Sequence, residues 1–196
     1  MTDEKRPYRM KRRTELQQAT RLRITESAVE LHGTLGPAKT SMSAVAEHAG
    51  VRRSTLYRYF ADEAQLFEAC SNHWSKQHPV PDIDTWATIR DPQERLKTGL
   101  LELYDFYAGA ERMLTNIFRD LDAMEVVKEQ FAPFALYMDA LQKTLLAGHV
   151  KRGRRAARVR AAVGHAIAFT TWHSLVREQR LTPAEAVEMM CKLTFT

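Results

Sequence analysis

The stretch from residue 40 to residue 60 constrains the fold more than any other part of this 196-residue chain. Its spacing predicts two short helices joined at Gly50, because a glycine readily takes the left-handed conformation that a tight turn needs. Ser41 is placed to cap the first helix, and Val51 to fill the angle between the two. This compact pair restricts the N-terminal region to a small helical domain.

The second helix of the pair has two distinct faces. Leu56 and Phe60 lie four residues apart and form a buried stripe. The remaining positions put guanidinium, hydroxyl and phenol groups on the outer face: Arg53, Ser54, Tyr57 and Arg58, with Arg52 at the start. A helix of this kind, held by a compact partner, is typical of the recognition element of a helix-turn-helix.

The residues from Ala46 to Phe60, AEHAGVRRSTLYRYF, resemble the recognition region of the TetR family of bacterial transcriptional regulators. The resemblance covers about the first third of the chain and includes Arg21, Ile24, Ala28, Leu31, Gly36, Thr40, Leu66 and Phe67. It implies that Ser41, Ser43, Thr55 and Tyr57 lie against DNA. The chain departs from the family at Arg52, where a serine-like cap is usual, and at Glu63, where a lysine is common.

We therefore expect the DNA contacts to come from the start of the first helix of the pair and from the outer face of the second. The arginines can present a bidentate fork to guanine in the major groove. The predicted contact residues are Ser41, Ser43, Arg52, Arg53, Ser54, Thr55, Tyr57, Arg58 and Tyr59.

The positive charge is concentrated where these residues lie. Residues 1–60 carry 12 Lys/Arg against 6 Asp/Glu, whereas residues 61–196 carry 17 against 18. Phosphate attraction supplies much of DNA affinity, so this asymmetry suits a DNA-binding head on a near-neutral body. Lys11, Arg12 and Arg13 either reach DNA or belong to a solvated tail. A second basic cluster, 151–160, is interpreted as a solvated loop, with an acidic partner or ligand as the alternative.

Helical periodicity predicts an all-α fold of about nine helices. Three regions are expected: a flexible basic arm over residues 1–13, a helix-turn-helix domain over 14–61, and a ligand-binding and dimerisation body over 62–196. Capping boxes at Asp62–Gln65 and Thr182–Glu185 mark two helix starts. Helices are also expected from Asp91, over 111–124 and 125–148, and as one long helix over 155–180.

The body is rich in aromatic residues and methionine, which suit an apolar small-molecule pocket. Two histidines are its candidate polar contacts. The predicted lining is Phe106, Tyr107, Met113, Phe118, Phe134, Tyr137, Met138, His165, Phe169, Trp172 and His173. Taken alone, each of these residues is more often ordinary core filling than a ligand contact. The resemblance implies that a ligand there changes the angle of the fourth helix; the sequence does not identify the ligand.

A homodimer is expected because one helix-turn-helix covers too few base pairs for specificity, and two-fold pairing matches a palindromic operator. The last two helices are the predicted interface, through Val163, Ile167, Thr171, Leu175, Val187 and Met190. The resemblance implies the same arrangement.

Other classes of protein are disfavoured. The seven histidines form no HExxH pair, and GxSxG, P-loop and GxGxxG motifs are missing, so we expect no enzyme, cofactor or metal site. The sequence has no apolar run long enough for a membrane span and no secretory signal, and Cys70 and Cys191 read as free thiols, which indicates a cytoplasmic protein. The alternative that stays open is a ligand-independent DNA-binding architectural or adaptor protein with the same head.

Overall fold

The computed structural model describes residues 5–149 and 152–195, and every regular element in these ranges is helical. The all-α prediction is confirmed. The helices are α1 (Lys5–Thr34), α2 (Met42–His48), α3 (Arg53–Tyr59), α4 (Glu63–Gln77), α5 (Ile83–Ala87), α6 (Pro92–Asp120), α7 (Glu125–Leu146), α8 (Gly153–Ala166), α9 (Phe169–Trp172) and α10 (Pro183–Phe195). A 3₁₀ turn covers Pro37–Lys39, and a π-helix covers His173–Glu178.

The chain divides into two compact units. The first comprises the chain up to Gln77 together with Arg112–Gln130, and the second comprises His78–Glu111 and the chain from Phe131 onward. The core of the first unit is formed by apolar residues of α1 to α4 with one from α7: Ile24, Ala28, Val45, Ala46, Ala49, Leu56, Phe60, Leu66, Phe67, Cys70 and Val127.

The core of the second unit is built on α6 and α5. Trp86 is buried, and its indole N–H donates to Glu102 over 2.8 Å. Gly99 lets this ring and Leu145 approach the α6 backbone, because a Cβ there would lie 2.8 Å from Leu145 Cδ2. The same unit buries further large side chains from α6, α7, α9 and α10: Leu96, Leu100, Leu103, Tyr104, Tyr107, Leu141, Trp172 and Val187.

The N-terminal arm is the first departure from the sequence predictions. Because α1 begins at Lys5, residues 5–13 extend a helix instead of forming the predicted flexible arm. Pro7 lies in the first turn of this helix, where a missing backbone N–H costs no hydrogen bond. Residues 1–4 of the predicted arm lie outside the described residues.

Helix α6 runs through the point at which we expected one helix to end and another to begin. It continues past Glu111 to Asp120. A buried stripe, Tyr107, Ala110 and Leu114, keeps its helical spacing across the predicted break. Packing of this stripe outweighs the weak helix propensity of Gly109.

The predicted long helix over 155–180 is interrupted in the structure. Helix α8 ends at Ala166, and the chain turns at Ala168 before α9 begins. Two buried hydroxyls stabilise this break. Tyr104 donates to the Ala166 carbonyl over 2.9 Å, and Tyr107 donates to the Ile167 carbonyl over 2.6 Å. They satisfy carbonyl groups that a helix end leaves without a partner.

The basic cluster that we interpreted as a solvated loop lies largely on a helix. Arg154, Arg155, Arg158 and Arg160 belong to the first turns of α8 and are exposed, while Lys151 lies outside the described residues.

Candidate functional site

The turn between α2 and α3 has the predicted geometry. The Ser41 hydroxyl accepts a hydrogen bond from the Ala44 N–H over 3.2 Å and so caps α2. Gly50 has a φ of 63°, which is the left-handed conformation expected there. The Val51 N–H donates to the Ala46 carbonyl over 2.9 Å and closes the turn. The two helices are therefore fixed by local bonds encoded within this short segment.

Helix α3 shows the two faces predicted from its spacing. Leu56 and Phe60 are 0% exposed. Arg53, Ser54, Tyr57 and Arg58 are all exposed, and so is Arg52 before them. The outward face is confirmed as a solvent-facing surface of cations, hydroxyls and a phenol.

Two of the arginines on this face rest on neighbouring rings. The Arg53 guanidinium lies 5.5 Å from the Tyr57 ring centroid, and its Nη2 donates to the Tyr57 hydroxyl over 3.4 Å. The Arg58 guanidinium lies 5.4 Å from the Tyr59 ring centroid. Cation–π contacts of this kind hold an exposed arginine in a restricted set of rotamers.

The remaining predicted contact residues differ in exposure. Ser41 and Ser43 at the start of α2 are exposed, whereas Thr55 and Tyr59 are half-buried. The Tyr59 ring packs against the core of the first unit. It therefore has less surface to offer a ligand than the other positions.

Both departures from the family pattern have a structural outcome. Arg52 occupies the N-cap of α3 without a side-chain capping bond. Glu63 lies in the first turn of α4, where a negative charge suits the helix dipole. That helix is capped by Asp62, whose carboxylate accepts from the Gln65 N–H over 2.8 Å. The Gln65 side chain accepts from the Ala61 N–H over 3.2 Å.

Arg21 supports α3 in a way that the sequence analysis missed. Its Nη1 donates to the Tyr59 carbonyl over 3.0 Å, and its guanidinium lies 4.3 Å from the Phe60 ring centroid. The contact satisfies a carbonyl at the end of α3 and ties it to α1. The sequence carries one signal for it, since Arg21 lies one turn before buried Ile24 on the same side of α1.

A polar network from the end of α6 fixes the connection between α1 and α2. Asn116 Nδ2 donates to the carbonyls of His32 and Gly33 over 3.0 and 2.8 Å. Arg119 donates to the Leu35 carbonyl, and Asp120 accepts from the Ala38 N–H over 3.0 Å. These partners lie 82 to 84 residues earlier in the chain, so no local pattern could reveal them.

Asp120 carries a charge in this network although it is only 5% exposed. A hydrogen bond from the Arg119 guanidinium holds the pKa of the Asp120 carboxyl below its ordinary value. Gly36 leaves room for the pair, because a Cβ there would overlap the Arg119 guanidinium. Its φ of 93° also favours glycine.

The predicted pocket residues fall into two groups in the second unit. Tyr107, Phe169 and Trp172 are buried and in mutual ring contact, with centroids 5.3 to 5.9 Å apart. The Trp172 Nε1 is buried and has no hydrogen-bond partner within the described residues. The second group is half-buried and lies on α6 and α7: Phe106, Phe134, Tyr137 and Met138.

Of the other four predicted lining residues, His173 lies beside the first group, with its ring centroid 6.1 Å from that of Phe169 and 6.3 Å from that of Trp172. Met113 and Phe118 belong to the first unit. His165 is exposed and lies with Nδ1 3.2 Å from the Thr171 hydroxyl. His173 is half-buried, with Nδ1 3.5 Å from Glu178.

The residues predicted at the dimer interface are largely buried within one chain. Five of the six side chains are buried inside the second unit: Val163, Ile167, Thr171, Val187 and Met190. Leu175 is half-buried. A partner chain on α8 or α10 would first meet the exposed side chains of these helices, and an interface there stays a prediction. Periodicity alone could not separate a core stripe from an interface stripe on these helices.

The geometry of α2 and α3 defines a helix-turn-helix domain. The same segment matches the family model for bacterial regulatory proteins of the tetR family over residues 24–70. The resemblance to the TetR family noted from the sequence is therefore confirmed over this segment.

Solved structures share the fold beyond this segment. A TetR-like transcriptional regulator from Rhodococcus sp. RHA1 is 18% identical with a TM-score of 0.65, over 90% of this chain and 93% of that one. NalD, the secondary repressor of the MexAB-OprM multidrug efflux pump in Pseudomonas aeruginosa, is 22% identical with a TM-score of 0.59, over 92% and 96%.

FadR from Bacillus subtilis, a transcriptional regulator solved in complex with stearoyl-CoA, is 16% identical with a TM-score of 0.58, over 88% and 96%. At these identities the likeness establishes the all-α fold of TetR-type regulators. No curated protein is a significant sequence match.

Two further searches concern only residues 5–149 and 152–195. None of the helices described there is both long and apolar enough to cross a membrane. The same residues contain no group of three or more His, Cys, Asp or Glu side chains arranged to hold a metal ion.

Proposed function

We propose that this protein is a sequence-specific DNA-binding transcriptional regulator. It binds a palindromic operator as a homodimer, represses transcription, and is released by a small-molecule effector. The observation that carries the DNA-binding proposal is the outer face of α3, where Arg53, Ser54, Tyr57 and Arg58 are exposed above a fully buried stripe.

Binding would place α3 in the major groove, which is wide enough for a helix and presents a distinct pattern at each base pair. Arg53 and Arg58 would offer bidentate hydrogen bonds to guanine, each worth about 1–3 kcal/mol of discrimination. Ser41 and Ser43 would contact the phosphate backbone and fix the register. The positive excess of residues 1–60 would add attraction that weakens as salt rises.

The homodimer is proposed because a single helix of this length reads too few base pairs. Two copies related by a two-fold axis would present two α3 helices about one DNA turn apart to a palindrome. The buried positions of α8 and α10 do not supply this interface, so it would use exposed residues.

The repressor and effector parts of the proposal are supported by structural neighbours. NalD is described as a repressor, and FadR was solved with a bound acyl-CoA. In this chain the half-buried rings of Phe106, Phe134 and Tyr137 provide apolar surface in the second unit. The partnerless Trp172 Nε1 nearby in the ring cluster would suit an effector with a hydrogen-bond acceptor.

Selection of bound sites from random DNA duplexes tests the proposal, and a palindrome with half-sites about one turn apart is the expected product. On that operator, Arg53→Ala should weaken binding by about 1–3 kcal/mol while the protein stays folded. Arg90→Ala, which removes an exposed arginine of the second unit, is the matched control. Operator affinity that is equal in both variants would show that α3 is not the reading element.

The effector part is tested separately by titrating metabolites onto the protein–operator complex. A ligand that prefers the DNA-incompetent state about 100-fold would shift the equilibrium by about 2.7 kcal/mol. Operator affinity that stays constant across a broad metabolite set would favour the ligand-independent architectural protein instead.

A further inference from the structure

A groove in the second unit lies between the start of α8 and the end of α10, and the proposed operator and effector sites make no use of it. It has a volume of about 460 Å³, which falls in the size range of small-molecule sites. The residues lining it are Arg155, Arg158, Val159, Leu193, Thr194 and Phe195.

One side of the groove is apolar and open to solvent. Leu193 is 61% exposed, although its neighbour Thr194 is buried and donates its hydroxyl to the Met190 carbonyl over 2.9 Å. Val159 forms the floor from α8 and is only 8% exposed. An occupant with an apolar portion would remove this surface from water, at a gain of about 25 cal/mol per Å².

The other side carries two guanidinium groups one helical turn apart. Arg155 and Arg158 are exposed, and neither forms an ion pair with a carboxylate of the described residues. Helix α8 itself contains no acidic residue between Gly153 and Ala166. Guanidinium groups that lack a carboxylate partner are strong donors of charge-assisted hydrogen bonds to an oxyanion.

The acidic residues of α10 are already engaged elsewhere. Glu185 accepts from the Thr182 N–H and hydroxyl in a capping box. Glu188 pairs with Lys192 over 2.7 Å. The groove therefore keeps its positive charge even though it borders a helix that carries carboxylates.

Phe195 connects the groove to a half-buried histidine and, beside it, a buried arginine. Phe195 stacks on His149 with ring centroids 5.2 Å apart, and the Nε2 of that histidine is buried without a partner among the described residues. Burial and the nearby Arg95 lower the pKa of His149. Arg95 is 4% exposed and donates to the carbonyls of Ile89 and Ala147, with no ion pair to a described carboxylate.

We propose that this groove is a binding site for a small amphiphilic anion. The oxyanion head group lies between the Arg155 and Arg158 guanidiniums, and the apolar tail packs on Val159, Leu193 and Phe195. An occupant needs both parts to use the whole site. A bare anion would leave Leu193 exposed to water, and a neutral apolar molecule would gain no charge-assisted hydrogen bond from the arginines.

Calorimetric titration of the full chain with decanoate, below the concentration at which micelles form, tests the site. Acetate lacks the tail and decanol lacks the charge, and each should bind at least about tenfold more weakly than decanoate. Equal affinity for decanol and decanoate would overturn the head-group assignment. Equal affinity for acetate would overturn the role of the apolar wall.

A pair of matched variants locates the site. Arg155→Gln with Arg158→Gln should weaken decanoate binding at least about tenfold, since both charge-assisted bonds are lost. Arg154→Gln with Arg160→Gln removes the same charge from α8 without touching the groove lining and should leave affinity within about twofold. An equal loss of decanoate affinity in the two variants would show that only the total charge of α8 matters, and it would overturn the proposal.

Leu193→Glu provides a second variant that should fold, because the side chain is largely exposed. It places a carboxylate beside the arginines and should abolish decanoate binding. Sedimentation of all variants completes the test: a change of oligomeric state that accounts for the loss of binding would identify the groove as a self-association surface and overturn the ligand site. The assays contain no DNA, so their outcome is independent of operator binding.

Discussion

The helix-turn-helix face of the first unit and the aromatic cluster of the second unit distribute stability and recognition differently. On α3, Leu56 and Phe60 are buried while Arg53 and Tyr57 face solvent, so the side chains that stabilise the helix differ from those proposed to contact DNA. In the second unit, Tyr107 is both a core residue and a predicted pocket residue. Recognition can therefore change independently of stability in the first unit and cannot do so around Tyr107.

The largest expected effect compares the buried and the exposed face of α3. Phe60→Ala should destabilise the protein by about 3–5 kcal/mol, because a fully buried ring is replaced by a cavity. Tyr57→Ala, on the exposed face, should change the free energy of unfolding by less than about 0.5 kcal/mol and still weaken operator binding. Urea unfolding monitored by circular dichroism measures both. A large loss of stability in Tyr57→Ala would show that the two faces are not separable.

The core of the first unit also predicts a dependence of stability on pH. Burial lowers the pKa of His32 to about 4, whereas the unfolded chain takes up this proton near pH 6.5. Between these values only the unfolded state gains the proton, so acidification should cost about 3 kcal/mol of stability between pH 7 and pH 4.

The comparison of the wild-type chain with His32→Leu isolates this effect. Urea unfolding at several pH values should show a shallower loss of stability in the variant below pH 6.5. Parallel curves for the two proteins would mean that His32 does not contribute. Asp120, whose lowered pKa acts at more acidic pH, is present in both proteins and cancels in the difference.

In the second unit we expect no such separation between residues that stabilise the fold and residues that bind a ligand. Tyr107→Phe keeps the ring and removes the hydroxyl that donates to the Ile167 carbonyl. Leaving that buried carbonyl without its donor should cost about 1–3 kcal/mol, even though no apolar contact is lost. Arg90→Ala is a neutral reference. If urea unfolding shows that Tyr107→Phe is as stable as the wild-type chain, the Tyr107 hydroxyl does not stabilise the fold and this prediction is wrong.

The smallest expected effect concerns the extended start of α1. Lys11→Ala with Arg12→Ala should lower operator affinity evenly across sequences and reduce the slope of log affinity against log salt by about 1.8 if both residues contact phosphate. Fluorescence anisotropy at several salt concentrations measures the slope. A loss that depends on the operator sequence would instead indicate reading of the minor groove.

The parts of the fold that the sequence predicted are those set by neighbouring residues. The Ser41 cap, the Gly50 turn and the box at Asp62 and Gln65 each depend on groups within a few positions of one another. Both partners of each of these contacts lie in the same short segment, so the positions of the caps and of the turn could be predicted.

The parts that it missed depend on distant contacts. The break after α8 is stabilised by hydroxyls of Tyr104 and Tyr107, which lie about sixty residues earlier in the chain. The network from Asn116 and Asp120 to the connection between α1 and α2 is set in the same way. Within the candidate DNA-binding face the outward residues were predicted, while the contact of Arg21 with the Tyr59 carbonyl was not.

The resting position of Arg53 on the Tyr57 ring has a consequence for how operator binding should be dissected. A flexible arginine must give up rotational freedom when it meets a base, and here a stacked phenol already restrains it before DNA arrives. Truncating the ring thus loosens a neighbour as well as deleting a contact. Tyr57→Phe keeps the ring beside the Arg53 guanidinium and removes the hydroxyl together with its hydrogen bond from Arg53. Comparing it with Tyr57→Ala therefore separates the contribution of the ring from that of the hydroxyl.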